Sequence, residues 1–152
     1  LCDAYSALNQ HDKAIGVLES IVASFGNTRS KEAGQFHHRL AKVYEAQGNA
    51  SLAKQHYEAA FKLDLGNVGV LKDYGLFCFE QGDLDEAQKK FRALLLQRLD
   101  KTAGLSKAEV YFYLGEIASR QHDMPKAKNL YERALAEDRD LAQAKEALAR
   151  LS

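Results

Sequence analysis

Few side chains in this sequence are spaced for metal binding or redox chemistry. His37, His38 and His56 form a local histidine group, but no Cys, Asp or further His stands beside them at the spacing of a metal site. Cys2 and Cys78 are far apart and fit neither a disulfide framework nor a zinc site. The sequence therefore predicts no metal ligands, and its cysteine usage favours a reducing, cytoplasmic compartment.

Acid–base or nucleophilic catalysis finds little support in the remaining residues. Asp83, Asp85 and Glu86 are close in sequence, but they stand at the start of a predicted helix, where capping and the helix dipole account for them. Cys78 has no base at readable spacing, and no glycine-rich phosphate loop follows a strand. We predict a protein that is not an enzyme and carries no cofactor.

Composition narrows the possible partners. The 152 residues include 21 Lys and Arg and 21 Asp and Glu, so the net charge is zero and no basic footprint for nucleic acid is visible. The apolar run at 93–96 is far too short to span a bilayer, so we expect a soluble chain without membrane insertion. Because the sequence begins without Met and in a helical pattern, we expect a piece of a longer protein whose targeting sequence lies elsewhere.

A short pattern recurs along the chain at an interval of about 34 residues, with extra residues between some copies. Each copy has a turn residue, then an alanine, then a large apolar residue: Asn9, Ala14 and Leu18; Gly48, Ala53 and Tyr57; Gly82, Ala87 and Phe91; His122, Ala127 and Tyr131. The copies indicate four units, the first incomplete at its start.

Each unit is predicted to be a pair of helices. Gly82 ends one helix, and Asp83 with Glu86 resembles a capping box for the next. Ser106 and Glu109 give the same signal in the last unit. No strand pattern of useful length appears, so the chain is predicted to be all-α.

Small residues in the first helices face aromatic residues in the second. A close helix approach needs a small residue on one side, and burying one ring contributes about 2 to 3 kcal/mol. The predicted pairs are Gly75 with Phe91, Gly115 with Tyr131, and Ala41 with Tyr57.

These marks resemble the tetratricopeptide repeat, in which Leu-Gly, Tyr, Ala and Phe recur on a helix-turn-helix of about 34 residues. Leu-Gly is intact at 114–115, Tyr-Gly stands at 74–75 and Leu-Ala at 40–41. The resemblance implies a single domain, a right-handed superhelix of stacked antiparallel helix pairs, in a fragment of a bacterial-type array. Its units are 1–28, 34–67, 68–101 and 108–141, with a trailing helix at 142–152. The sequence departs from the family at His37, Leu71 and Tyr111, where Trp is common, and it lacks the proline near each unit's end.

The resemblance also implies a protein-interaction scaffold whose concave face, formed by the first helices, binds a peptide or helix of a partner. Helical projection places ten residues on this face: His38, Arg39, Lys42, Lys72, Leu76, Phe79, Phe112, Tyr113, Glu116 and Arg120. Leu76, Phe79, Phe112 and Tyr113 would form an exposed apolar patch beside cations, suited to an acidic or amphipathic segment. Alternatively, the aromatic residues are core, or the longer connections cover them.

Other functions stay open. The chain could be a structural spacer, or could form a homodimer through its ends at Leu148 and Leu151. The segment 74–78, Tyr-Gly-Leu-Phe-Cys, is similar to a segment of bacterial lipoproteins that help assemble type IV pilus pores. The chaperone-tail clamp of some family members is disfavoured, because acids stand where its asparagines would be needed, and RNA binding is the poorest option.

Overall fold

A computed structural model describes residues 2–100 and 103–151, with side chains from residue 10 onward. Within these ranges the chain forms only α-helices and the turns between them, which confirms the all-α prediction. The helices are α1 (Cys2–Phe25), α2 (Lys31–Ala46), α3 (Ala50–Leu63), α4 (Val68–Glu80), α5 (Leu84–Leu95), α6 (Lys107–Arg120), α7 (Met124–Glu137) and α8 (Ala142–Leu151).

The helix starts follow the capping signals of the sequence. The Asp83 carboxylate accepts a hydrogen bond from the Glu86 backbone N–H at 3.4 Å, which begins α5. Ser106 and Glu109 form a complete capping box, with bonds of 2.9 and 3.2 Å in the two directions. Each bond satisfies a backbone donor that has no partner inside its helix, so these residues fix where the helices begin.

The turn between the helices of a pair requires one residue in the left-handed region. Gly48 and Gly82 have φ of 78° and 80°, and His122 adopts φ of 63° at the matching place before α7. Asn49, Asp83 and Asp123 follow directly and cap the next helix. The turn residue and the cap therefore form one repeated device.

The chain divides into two compact units, residues 1–70 (unit 1) and 71–152 (unit 2). In unit 1, α2 packs on both α1 and α3, and Leu40, Ala41 and Tyr57 are fully buried. In unit 2, α5, α6, α7 and α8 pack in succession, and the buried residues include Leu71, Tyr74, Phe91, Ile117 and Tyr131. The predicted grouping into four repeats within one domain stays a prediction.

Two glycines of unit 2 provide the predicted close approaches. A Cβ on Gly75 would lie 3.3 Å from Cε1 of Phe91, and one on Gly115 would lie 2.6 Å from Cε1 of Tyr131. Both rings are almost completely buried. The pairing of small and aromatic residues read from the sequence is confirmed at these positions.

A helix that crosses a bilayer must be both long and strongly apolar. No helix within the described residues meets these two requirements.

Candidate functional site

Helices α4 and α6 bring three of the predicted site residues together in unit 2. The rings of Phe79 and Tyr113 meet edge to face, with centroids 5.5 Å apart. The Arg120 guanidinium carbon lies 4.1 Å from the centroid of Phe79, and its Nη1 donates to the Phe79 carbonyl oxygen at 3.5 Å. Phe79 and Tyr113 are half-buried and Arg120 is exposed. We call this group the aromatic–arginine cluster.

The cluster packs against the hydrophobic core of unit 2. Tyr113 stacks on the buried Phe91 of α5, with centroids 5.3 Å apart and planes 4° from parallel. Burial, followed by the nearby carboxylates of Glu109, Glu80 and Glu116, raises the pKa of Tyr113. Packing on the core therefore holds the two aromatic rings of the cluster in place.

Phe112 does not belong to an exposed patch, and this part of the sequence-based prediction is wrong. Only 8% of Phe112 is exposed, and its ring lies 6.0 Å from that of Tyr131, within a core cluster built with α7 and α8. The projection treated Phe112 and Tyr113 alike, although adjacent residues of a helix point about 100° apart. The alternative that the aromatic residues belong to the core holds for Phe112.

Glu116 is occupied by contacts inside unit 2. Its carboxylate accepts a hydrogen bond from the Tyr131 hydroxyl at 2.6 Å and lies 3.8 Å from Nη2 of Arg150. Burial and this bond raise the pKa of Tyr131 well above its usual range. Glu116 thus joins α6 to α7 and α8, and was predicted as a partner contact because these helices were not yet placed.

Lys72 and Leu76 lie on α4, in the same unit as the cluster. Lys72 is half-buried, and its Nζ lies 3.7 Å from the Asp73 carboxylate. A Cβ built on Gly104 would lie 3.0 Å from that amine, so the connection before α6 passes over Lys72. Leu76 is half-buried. The alternative in which a connection covers part of the face therefore applies at Lys72.

The other three predicted residues lie on α2, in unit 1. The His38 ring is half-buried, 6.1 Å from the ring of Tyr57. Arg39 is exposed, with its guanidinium carbon 5.6 Å from the Phe36 ring centroid, and Lys42 is also exposed. This set supplies positive charge to the surface of unit 1, and partner binding at any of the ten positions stays a prediction.

A hydrogen bond that the sequence did not predict recurs in two helix pairs and is absent at the position of Phe79. In unit 1 the Tyr57 hydroxyl donates to Glu45, twelve residues earlier, at 2.5 Å. The position matching Glu45 is Ser119 before Tyr131, where it also bonds to the ring hydroxyl, but it is Phe79 before Phe91. Phe91 has no hydroxyl to bond, and the position twelve residues before it holds the apolar, half-buried Phe79.

Two members of the histidine group noted in the sequence, His37 and His56, make a direct contact in unit 1 that was not predicted. His37 Nδ1 and His56 Nδ1 are 2.9 Å apart, joining α2 to α3, and the ring of Tyr44 stacks on His56 at 5.5 Å. Burial lowers the pKa of His37, and burial together with His37 lowers that of His56, against an opposing effect of Glu19. The Tyr44 hydroxyl donates to Glu19, and this bond raises the pKa of Tyr44 to about 12.

The described residues contain no group of three or more His, Cys, Asp and Glu side chains arranged to hold a metal ion. The side chain of Cys78 is buried in the core, and that of Cys2 lies outside the described side chains.

The helix pairs, their glycine contacts and their capped turns define the class of helical-repeat proteins. Two models of one family match the chain: tetratricopeptide repeat over residues 68–140, and YpiA-like, C-terminal tetratricopeptide repeats over residues 34–98. Together they run from residue 34 to residue 140, so the chain belongs to the tetratricopeptide repeat family.

Known proteins resemble the chain in sequence or in fold. The type IV pilus assembly protein PilF of Pseudomonas aeruginosa is 29% identical over 104 residues, which cover 68% of this chain and 40% of PilF. The structure of MamA superposes with a TM-score of 0.76 at 17% identity, covering 98% of this chain and 81% of MamA. YrrB, described as a tetratricopeptide repeat protein with an unusual peptide-binding site, gives 0.70 at 20% identity, with 95% and 69% coverage. The family supports a general role as a protein-interaction scaffold.

Proposed function

We propose that the chain is a non-enzymatic adaptor that binds an acidic or amphipathic segment of a partner protein at the aromatic–arginine cluster. The observation that carries this proposal is the Arg120 guanidinium held 4.1 Å over the half-exposed Phe79 ring. A cation on an aromatic face leaves its outward N–H groups directed to a carboxylate, while the ring edge offers apolar contact. The peptide-binding site of YrrB supports the same general use of the fold.

The cluster also has a low entropic cost of binding. The Phe79 and Tyr113 rings already rest on each other and on Phe91, so little side-chain freedom is lost when a partner arrives. Aromatic and arginine side chains held in this way are typical hot spots of interfaces. We place the adaptor in the cytoplasm, as the cysteine content suggests.

The test is a pull-down from the source organism's lysate with the whole chain and two variants. Phe79→Ser with Arg120→Glu removes the ring and reverses the charge, while Arg133→Glu reverses an exposed charge on α7 and is the matched control. We expect a partner retained by the wild type and by Arg133→Glu but lost by the double variant, with helicity unchanged by circular dichroism. Equal retention by all three would contradict binding at the cluster.

A dimer formed through the chain end would use residues that already make contacts within unit 2. Leu148 and Leu151 pack against the core cluster of α6, α7 and α8. Charged substitutions there would disturb unit 2 itself. A change in its assembly state would therefore not distinguish self-association from unfolding.

The match to PilF favours type IV pilus assembly as a second candidate. The chain spans 40% of PilF, so we propose only that the whole protein serves in a related assembly. Surface pili restored by that protein in a Pseudomonas aeruginosa strain lacking PilF would support this function. Stable expression without restored pili would argue against it.

A further inference from the structure

Unit 1 contains a surface cavity of about 480 Å³, and none of its lining residues belongs to the aromatic–arginine cluster. It lies where α1 and α3 end and α2 begins, and the connection between α1 and α2 forms one wall. Its volume is in the usual range for small-molecule sites, about 300 to 1,000 Å³. Phe25, Leu63 and Val22 give it an apolar lining.

The charged side chains that line this cavity are all basic. Arg29 and Lys62 line it, together with the imidazole of His37, and no Asp or Glu is among the described lining residues. The neighbouring Asp64 carboxylate lies 3.7 Å from Lys31 Nζ. Within the described part of the chain, no ion pair joins Arg29 or Lys62 to a carboxylate, so both cations are available to an incoming anion.

The helix ends around the cavity do not themselves favour an anion. α1 and α3 point their carbonyl ends toward the cavity, which disfavours an anion, and the N-terminus of α2 is already capped by Ser30 at 3.1 Å from the Ala33 N–H. Selection for an anion must therefore come from Arg29 and Lys62. Removing these two positive charges should therefore weaken anion binding directly.

We propose that this cavity binds a small organic carboxylate with an apolar body, its carboxylate paired with Arg29 and Lys62 and its hydrocarbon placed against Phe25 and Leu63. The apolar lining accounts for the body and the unopposed cations for the head group. An amine with the same body would meet like charges at the same place.

His37 connects this site to pH. The ring faces His56 from α3, and His56 in turn stacks on Tyr44 of α2, whose hydroxyl bonds to Glu19 of α1. Arg29 and Lys62 are the charged groups on the cavity side. A bound carboxylate favours a proton on the histidine pair, so by linkage the affinity rises as the pH falls.

The experiment titrates octanoate into the ¹⁵N-labelled protein and follows amide resonances by NMR, with octylammonium as the probe of opposite charge. We expect octanoate to shift resonances of residues 22–37 and 59–63, and octylammonium to leave them in place. Arg29→Gln with Lys62→Gln should weaken octanoate binding at least about tenfold, because two charge-assisted bonds are lost. Lys128→Gln with Arg133→Gln, which remove two exposed charges on α7, should leave it unchanged.

The pH arm compares octanoate affinity at pH 6 and pH 8. The wild type should bind at least about threefold more tightly at pH 6, and His37→Gln should lose this dependence. Binding of octylammonium at the same residues, unaltered octanoate binding by the Arg29 and Lys62 variant, or no shift at these residues would each overturn the proposal. The adaptor role is unaffected by these outcomes, because its test uses only residues of unit 2.

Discussion

Gly115 is the residue at which one methyl group should matter most. In Gly115→Ala the new Cβ would lie 2.6 Å from Cε1 of Tyr131, so the buried ring or helix α6 must move. We expect a loss of about 1 to 3 kcal/mol in the free energy of unfolding, measured by urea denaturation. The gain in helix propensity, about 1 kcal/mol, offsets only part of it.

Gly75→Ala is the matched control for this substitution. Its Cβ would lie 3.3 Å from Cε1 of Phe91, a contact that a small shift relieves. The propensity gain should leave Gly75→Ala close to the wild type in stability. Equal losses for both variants would show that ring contact is not the cause.

The His37–His56 pair predicts a pH dependence of the stability of unit 1. Both pKa values are lowered in the folded chain, so the unfolded chain takes up more protons as the pH falls below the ordinary histidine pKa of about 6.5. The free energy of unfolding should therefore be highest above that pH and should decrease as the pH falls below it. Urea denaturation at pH 7.5 and pH 5.5 measures the difference.

Substituting the pair separates it from the other histidines. His37→Gln with His56→Gln should reduce the loss between pH 7.5 and pH 5.5, since neither glutamine titrates. His122→Asn changes an exposed histidine at a left-handed position that Asn tolerates, and it should keep the wild-type dependence. An unchanged dependence in the double variant would assign the effect to other groups.

At the scale of elements, the capping box of α6 sets where the helix that carries Tyr113 and Arg120 begins. Ser106→Ala removes the oxygen that accepts from the Glu109 N–H at 3.2 Å. We expect a loss of about 1 kcal/mol in the free energy of unfolding. Ser106→Asp retains a capping oxygen and should retain most of the stability, whereas a loss as large as that of Ser106→Ala would indicate a role other than capping.

The elements were largely predictable from the sequence, because their signals are local. Asp83, Ser106 and Asp123 stand within a few residues of the backbone groups they cap. The left-handed turn residues Gly82 and His122 directly precede Asp83 and Asp123. The site was less predictable, because it depends on which helix covers which face. Phe112 and Glu116 were assigned to the surface before α7 and α8 could be placed against them.

At the scale of the whole molecule, the two compact units suggest that unit 2 holds enough of its own core to fold alone. A fragment from Asn67 to the chain end keeps the N-cap of α4, whose Oδ1 accepts from the Val70 N–H at 3.1 Å. We expect this fragment to show helical circular dichroism and a cooperative thermal transition. A spectrum without helix, or a transition without cooperativity, would show that unit 2 depends on residues 1–66.

The burial of Lys90 gives unit 2 a chemical reporter of its own opening. Its amine lies 4.9 Å from the Tyr74 ring centroid and 3.1 Å from Glu86, with 7% of the side chain exposed, whereas 68% of the adjacent Lys89 is exposed. An opening free energy of only about 1.4 kcal/mol slows acylation by an amine-reactive ester about tenfold. Mass spectrometry should therefore find Lys89 labelled first, and the delay at Lys90 should disappear in urea. The labelling rate of Lys90 relative to that of the adjacent Lys89 would then measure how often this part of the folded chain opens.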